Sequence, residues 1–411
     1  MTLRVLSHKS DKSETSHIEK SPDMAVSKVS PGTLGNLTPE EEKKLQQAWV
    51  HLLRLSGVTD LDKLDEVPDL EADLRPEMGD IPTTDKFRRS FWEFAMSEHP
   101  DALVLRFLRA RKWDVPKAMA MLVSAVNWRV QRNISGTIVR TGESVALKAA
   151  EEQSEDDKGF ISQYRSGKSY VRSTDRENRL VYIIRVKYHD PRAQSGDSME
   201  SYVLHNIENL RILLRPPEHK CCLIFDLTNF GLKNMDFHVV KFLITVFEAR
   251  YPETLGLVLI HNAPFVFWGI WNMIKGWLDP VIASKINFTR KTADLLKFIP
   301  EENLQSFYGG KDKWEYEYIE PVPGENARLE EAEKREEIDK QRDVVIRDFE
   351  RETVEWATKG LGDTKEDEKA DKRNDLAEQV TDSYWKLDPY IRSTTYFHRL
   401  GLMKRSEHVG A

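Results

Sequence analysis

The chain has 411 residues, 40% hydrophobic and 31% charged, with a formal net charge of −7. Such a chain can bury a core and divide into two or three units. Its acidic balance argues against a general nucleic-acid binder, which carries a basic excess.

Residues 1–36 are rich in Ser, Lys, Asp and Pro without hydrophobic period, and read as a disordered arm. They hold no apolar signal core, and Asp11, Glu14 and Glu19 do not suit a transit peptide. A helix is predicted from Thr38. Thr38 can cap it, Pro39 suits its first position, and Glu41 completes a capping box. Leu45, Trp49, Leu52 and Leu53 form its apolar stripe, ending near Gly57. Residues 58–85 read as a linker. A second helical block runs from Phe87 to Arg132, interrupted at Trp113 and restarted at the capping residue Asp114. Met119, Leu122, Val123 and Val126 form the buried stripe of its last helix.

From residue 160 the texture changes. Strands are predicted at 180–186, 221–227, 255–260 and 285–289. Helices are predicted at 199–214, 236–250, 265–278 and 292–299. Strands alternating with helices specify an α/β fold, with a sheet parallel at least in its centre. The only cysteines, Cys221 and Cys222, are neighbours on one strand and point to opposite faces, so they cannot readily bridge. No disulfide framework is indicated, which suits a reducing compartment. No run approaches the roughly 18 apolar residues of a membrane-spanning helix. Beyond Pro323, residues 325–356 form a charged helix with pairs such as Glu330 and Lys334. Residues 360–375 read as charged and mobile. The tail from Leu376, with Tyr384, Trp385 and Tyr390, is expected to pack back on the body.

Catalytic and metal motifs are missing. There is no Gly-x-Ser-x-Gly elbow and no Gly-x-Gly-x-x-Gly after a strand. Gly167-Lys168-Ser169 lacks the upstream glycine of a P-loop, because Ser162 occupies that position. The 11 histidines show no metal-ligand spacing, and Asn36, Asn133 and Asn287 are chance matches to a glycosylation pattern. No catalytic residue, metal or cofactor is assigned.

Two blocks carry a resemblance. One is Leu105-Arg106-Phe107-Leu108-Arg109-Ala110-Arg111-Lys112-Trp113. The other combines Tyr251-Pro252-Glu253, Asn262-Ala263-Pro264-Phe265, Leu278-Asp279-Pro280, Ser284-Lys285-Ile286 and Phe307 with Gly309-Gly310. In order and spacing they resemble the CRAL-TRIO family, specifically its yeast-type phosphatidylinositol transfer proteins. The long charged extension resembles the fungal, non-classical branch. The resemblance implies four segments: a disordered arm (1–36), an N-terminal helical lobe (37–135), a CRAL-TRIO lipid-binding domain with a mixed, mainly parallel sheet (136–320), and a charged helical extension (321–411). It further implies a cytoplasmic monomer, without catalysis, that touches membranes transiently and serves a lipid kinase.

A carrier of two acyl chains needs a large apolar cavity, because each buried methylene contributes about 0.8 kcal/mol. Residues 265–278, with Phe265, Phe267, Trp268, Trp271, Ile274 and Trp277, are apolar on nearly every side, too short to cross a bilayer, and suited to a gate. The alternative is a helix buried in the core. A buried phosphodiester also needs a cation. Lys285 matches the family position that pairs with the inositol phospholipid headgroup, and Glu253 the one that accepts inositol hydroxyls. Arg111 and Lys112 match the basic pair on the helical lobe, and Asp175 is placed at the headgroup end. Three positions depart from the family pattern. Ile282 replaces a threonine, and Cys221 and Leu223 replace hydroxyl residues that serve phosphatidylcholine. The expected ligand is therefore phosphatidylinositol, with weak or no phosphatidylcholine binding. The alternatives are a carrier of a neutral hydrophobe such as squalene or a sterol, and a lipid-sensing module that contacts a protein partner through residues 325–356.

Overall fold

A computed structural model describes residues 29–58, 70–79, 83–214, 216, 219–358 and 366–403. Most of the expected arm therefore lies outside the described residues. Residues 29–36 are not loose: they form a turn closed by a Thr33–Asn36 bridge, and Arg109 Nη1 donates to the Gly32 carbonyl at 2.8 Å.

Five helices build the N-terminal lobe: α1 (Pro39–Leu55), α2 (Glu71–Met78), α3 (Thr84–Ala95), α4 (Pro100–Ala110) and α5 (Val115–Gln131). The Thr38–Glu41 capping box starts α1, and Asp114 accepts from Lys117 N to start α5. α2 corrects the expected linker, since Leu74 and Met78 turn a short run of the acidic segment into a docked helix. Trp49, Phe91, Trp92 and Phe94 are buried at the centre of the lobe.

After α6 (Glu155–Arg165) the chain enters a five-stranded sheet in the order β1-β2-β3-β4-β5. The strands are β1 (Ser169–Thr174), β2 (Leu180–Arg185), β3 (Cys221–Asp226), β4 (Leu255–His261) and β5 (Ile286–Thr289). β1 and β2 form an antiparallel hairpin, and the remaining pairs are parallel. The crossovers carry α7 (Gly196–Leu213), α8 (Phe237–Ala249), α9 (Phe267–Lys275) and α10 (Pro280–Ser284), followed after β5 by α11 (Thr292–Leu295). Strand alternation divides the sheet. Cys222, Ile224, Leu257 and Leu259 pack with Leu295, Ile299 and Tyr308 on one face. Cys221, Leu223 and Val258 lie on the other, with Leu210 of α7. Both cysteines are buried and free.

The C-terminal region is two helices of 26 residues, α12 (Ala332–Ala357) and α13 (Glu366–Ile391), and a short α14 (Tyr396–Arg399). α12 begins later than expected. The expected mobile stretch is outside the described residues at 359–365, and from 366 it is helix. α13 packs along α12, burying Ala377, Val380, Tyr384 and Leu387. The pair closes the N-terminal lobe: Glu350 accepts from Arg88 Nε at 2.8 Å and Trp92 Nε1 at 2.9 Å, and Arg373 Nη2 donates to Asp101 at 2.6 Å. Gly142 permits a further contact. With φ of +43°, it brings its backbone where a Cβ would lie 2.6 Å from His205 and 2.7 Å from Ser393.

Among the described residues, no helix is long and apolar enough to cross a membrane.

Candidate functional site

α8 is strongly apolar, yet only Val246 is fully buried in it. Val239, Val240, Leu243, Ile244 and Phe247 share one helical face and remain half-buried. Such a face stays half-buried because it borders open space. A cavity lies there, between α8 and the sheet, where Leu223, Phe225, Val258 and Ile260 form the opposite wall. About 1200 Å³ is free of protein atoms, the open mouth included. Its mainly apolar lining suits an apolar ligand.

α9 covers the third side. It is shorter than the predicted span, running over nine residues, with Phe265 and Val266 before it and Gly276 ending it. Phe267, Trp271 and Ile274 line the cavity, as do Leu278 and Ile282 beyond the helix. Its other face is open: Phe265 is 94% exposed, Met273 51% and Trp268 43%. A core helix would hide these side chains, so that alternative is excluded. Trp277 is half-buried, its ring 6.0 Å from that of Phe237, and does not line the cavity. Trp268 packs against Phe288 at 4.8 Å. Leu223 lines the cavity, whereas Cys221 is buried behind it at the start of β3. Burial pushes the Cys221 thiol up to about 12.

Lys285 and Glu253 meet close in the chain to the cavity-lining residues Ile286 and Leu255, without lining the cavity themselves. Lys285 Nζ lies 3.5 Å from Glu253 Oε2, and both side chains are 17% exposed. The Lys285 carbonyl accepts from Val258 N at 2.9 Å, which fixes its backbone to β4. Glu253 has a φ of +57°, a left-handed conformation that a glutamate adopts at a cost of order 1 kcal/mol or more. Burial holds the Lys285 ammonium below the ordinary lysine range. Glu253 opposes that shift, while the charges of Lys220 and Arg109 add to it.

The other predicted site residues lie elsewhere. Arg111 caps α4, with its Nη1 donating to the Ala110 carbonyl at 3.2 Å, and Lys112 is exposed with a φ of +51°. Neither contacts Lys285 or Glu253 among the described residues. Arg109, within the same sequence motif, is the α4 cation whose charge reaches Lys285. Lys220 is not marked by any motif, because its closeness is purely tertiary. Asp175 is engaged within its own hairpin. Its carboxylate turns the β1–β2 hairpin, accepting from Glu177 N at 3.0 Å, Arg179 N at 2.9 Å and Arg179 Nε at 2.7 Å. With a buried side chain and these three donors, it acts as a hairpin former.

The family model described as the CRAL/TRIO domain matches residues 164–310, and that of the CRAL/TRIO N-terminal domain matches residues 61–124. A CRAL-TRIO domain-containing protein of Schizosaccharomyces pombe is 38% identical over 316 residues, 77% of this chain and 68% of that protein. The phosphatidylinositol transfer protein CSR1 of Eremothecium gossypii is 38% identical over 320 residues, 77% of this chain and 71% of that protein. The chain belongs to the CRAL-TRIO family. A more distant member, the SEC14 cytosolic factor of Yarrowia lipolytica, is 30% identical over 230 residues, covering 51% of this chain and 43% of its own length. The crystal structure of Sfh5 aligns over 67% of this chain and 88% of its own, with a TM-score of 0.44 and 18% identity. The CRAL-TRIO match contains the cavity and the Glu253–Lys285 pair, and the N-terminal match contains α4 with Arg109, Arg111 and Lys112.

Proposed function

We propose that this CRAL-TRIO protein binds phosphatidylinositol and carries or presents it between membranes without bond chemistry of its own. The Lys285–Glu253 pair, close in the chain to residues that line an apolar cavity, carries this reading. A bound phosphodiester would take the Lys285 ammonium, and Glu253 would accept inositol hydroxyls. Residues 265–278 act as the gate, supported by a helix apolar on both faces with one of them open to solvent. The name of the Eremothecium gossypii relative agrees with this ligand. Leu223 in the cavity wall, with Cys221 behind it, offers no alcohol hydroxyl, which supports weak or no phosphatidylcholine binding. Arg111 and Lys112 are assigned to the approach of the anionic membrane. The segments 37–135, 136–320 and 321–411 are proposed as the working units of a cytoplasmic, peripherally associated monomer that supplies a lipid kinase.

A second reading, a carrier of a neutral hydrophobe, is favoured by Leu223 and Ile282 lining one cavity. Mass spectrometry of lipid extracted from the purified protein separates the two. Phosphatidylinositol in the wild type and its loss in Lys285→Ala support the first. A neutral lipid in both proteins overturns it in favour of the second.

A further inference from the structure

The cavity wall holds a cation that the Lys285 site does not use. Lys168, just before β1, is 4% exposed. Its Nζ donates to Gln163 Oε1 and, at 2.9 Å, to His189 Nδ1. Its third hydrogen meets Met199 Sδ at 3.8 Å, a weak acceptor. No carboxylate is a direct partner of this ammonium among the described residues. Because the ammonium only donates, His189 Nδ1 is the acceptor, and Nε2–H faces Asp236 Oδ2 at 3.1 Å. Asp236 is already used at the start of α8, where its Oδ1 accepts from Val239 N at 3.0 Å. The nearest negative charge therefore stands one imidazole away.

Lys168, His189, Met199 and Asp236 all line the cavity, together with Arg185 and Asn234, and the rest of its lining is apolar. A buried ammonium without a direct anion is costly. Burial brings Lys168 down to about 8, against the opposing charges of Asp236 and Asp190. Methionine is the most adaptable of the apolar side chains, and Met199, which also lines the cavity, takes the third donor. The one Lys168 donor held only by sulfur suits a carboxylate oxygen, and Arg185, whose Nε donates to the Gly167 carbonyl at 3.0 Å, lines the same cavity.

We propose that Lys168 anchors the carboxylate of a long-chain monocarboxylic acid, whose tail lies along the cavity and whose head displaces the Met199 thioether. This site goes beyond the phosphatidylinositol reading and stands without it. Competition of laurate and 1-dodecanol against Nile red in the full chain tests it. A purely apolar cavity prefers the alcohol, because the carboxylate must shed water. The wild type is expected to bind laurate at least about tenfold more tightly than 1-dodecanol. Lys168→Met is expected to lose that preference while keeping its affinity for 1-dodecanol, and Lys285→Ala to retain it. Equal or weaker laurate binding by the wild type overturns the proposal, whether or not the variants fold. So does a folded Lys168→Met that still prefers laurate, or loss of the preference in Lys285→Ala, which would put the carboxylate at Lys285.

Discussion

Tyr251 Oη donates to Glu208 at 2.7 Å and accepts from Arg129 Nη1 at 2.9 Å, so a tyrosine two residues before Glu253 is locked into a buried ion pair between α5 and α7. The helical lobe thus holds the turn that carries Glu253. Tyr251→Phe leaves the ion pair but removes the link. It is expected to cost about 1–3 kcal/mol in urea unfolding and to reduce the phosphatidylinositol recovered with the protein.

Glu208→Gln should be far more damaging. Arg129 donates to Glu208 through both terminal nitrogens, at 2.6 and 2.9 Å. Burial alone would raise the Glu208 carboxyl, but the adjacent Arg129 guanidinium holds it well below the usual carboxylate range. Removing the charge strands Arg129 and is expected to cost roughly 3–5 kcal/mol. The depressed folded-state value also sets a pH dependence. The contribution of Glu208 is complete above its unfolded-state value and is lost as the pH falls below it. Urea unfolding measured from pH 7 down to 3 should show the wild type losing stability steadily and the variant losing less.

Glu253→Asn separates folding from binding. Asparagine tolerates the positive φ better than glutamate, so thermal stability should stay within about 1 kcal/mol of the wild type or rise. The carboxylate that accepts inositol hydroxyls is gone, and extracted phosphatidylinositol should fall several-fold.

Phe265→Ala tests the open face of α9. The ring is 94% exposed, and its loss should change stability by less than about 0.5 kcal/mol. Transfer of fluorescent phosphatidylinositol between vesicles should nevertheless slow, while occupancy at equilibrium is unchanged. Unaltered transfer would remove this face from membrane contact.

Leu223→Thr restores a hydroxyl to the cavity wall. Without ligand the buried hydroxyl should destabilise the fold by about 1–3 kcal/mol. The phosphatidylcholine fraction of the extracted lipid should increase. If it does not, this strand does not select the headgroup.

The central strands were legible because they are short apolar runs between turn residues, as in Cys221–Asp226 and Leu255–His261. β1 was not, since Ser-Tyr-Val-Arg-Ser-Thr is an edge strand with only half its residues buried. α13 was misjudged at its start because charge dominates there, and the buried positions Ala377, Val380, Tyr384 and Leu387 begin a few turns later. At the site, Glu253, Lys285 and the apolar helix could be found because family motifs mark them. Arg109 and Lys220 depend on how α4 and the start of β3 approach Lys285. Lys168 was seen only as part of a failed phosphate motif, since neither its burial nor its distance from carboxylates can be read from neighbours in the chain.

The Arg373–Asp101 contact has a consequence for biosynthesis. Asp101 is 2% exposed and Arg373 follows it by 272 residues. At about 5–20 residues per second, roughly 14–54 s of translation separate the two partners. During that interval α1, α3 and α4 exist without the helices that cover Trp49 and Trp92 and neutralise Asp101. The N-terminal lobe thus reaches its finished state only after α13 has been made, and until then its apolar face stays uncovered.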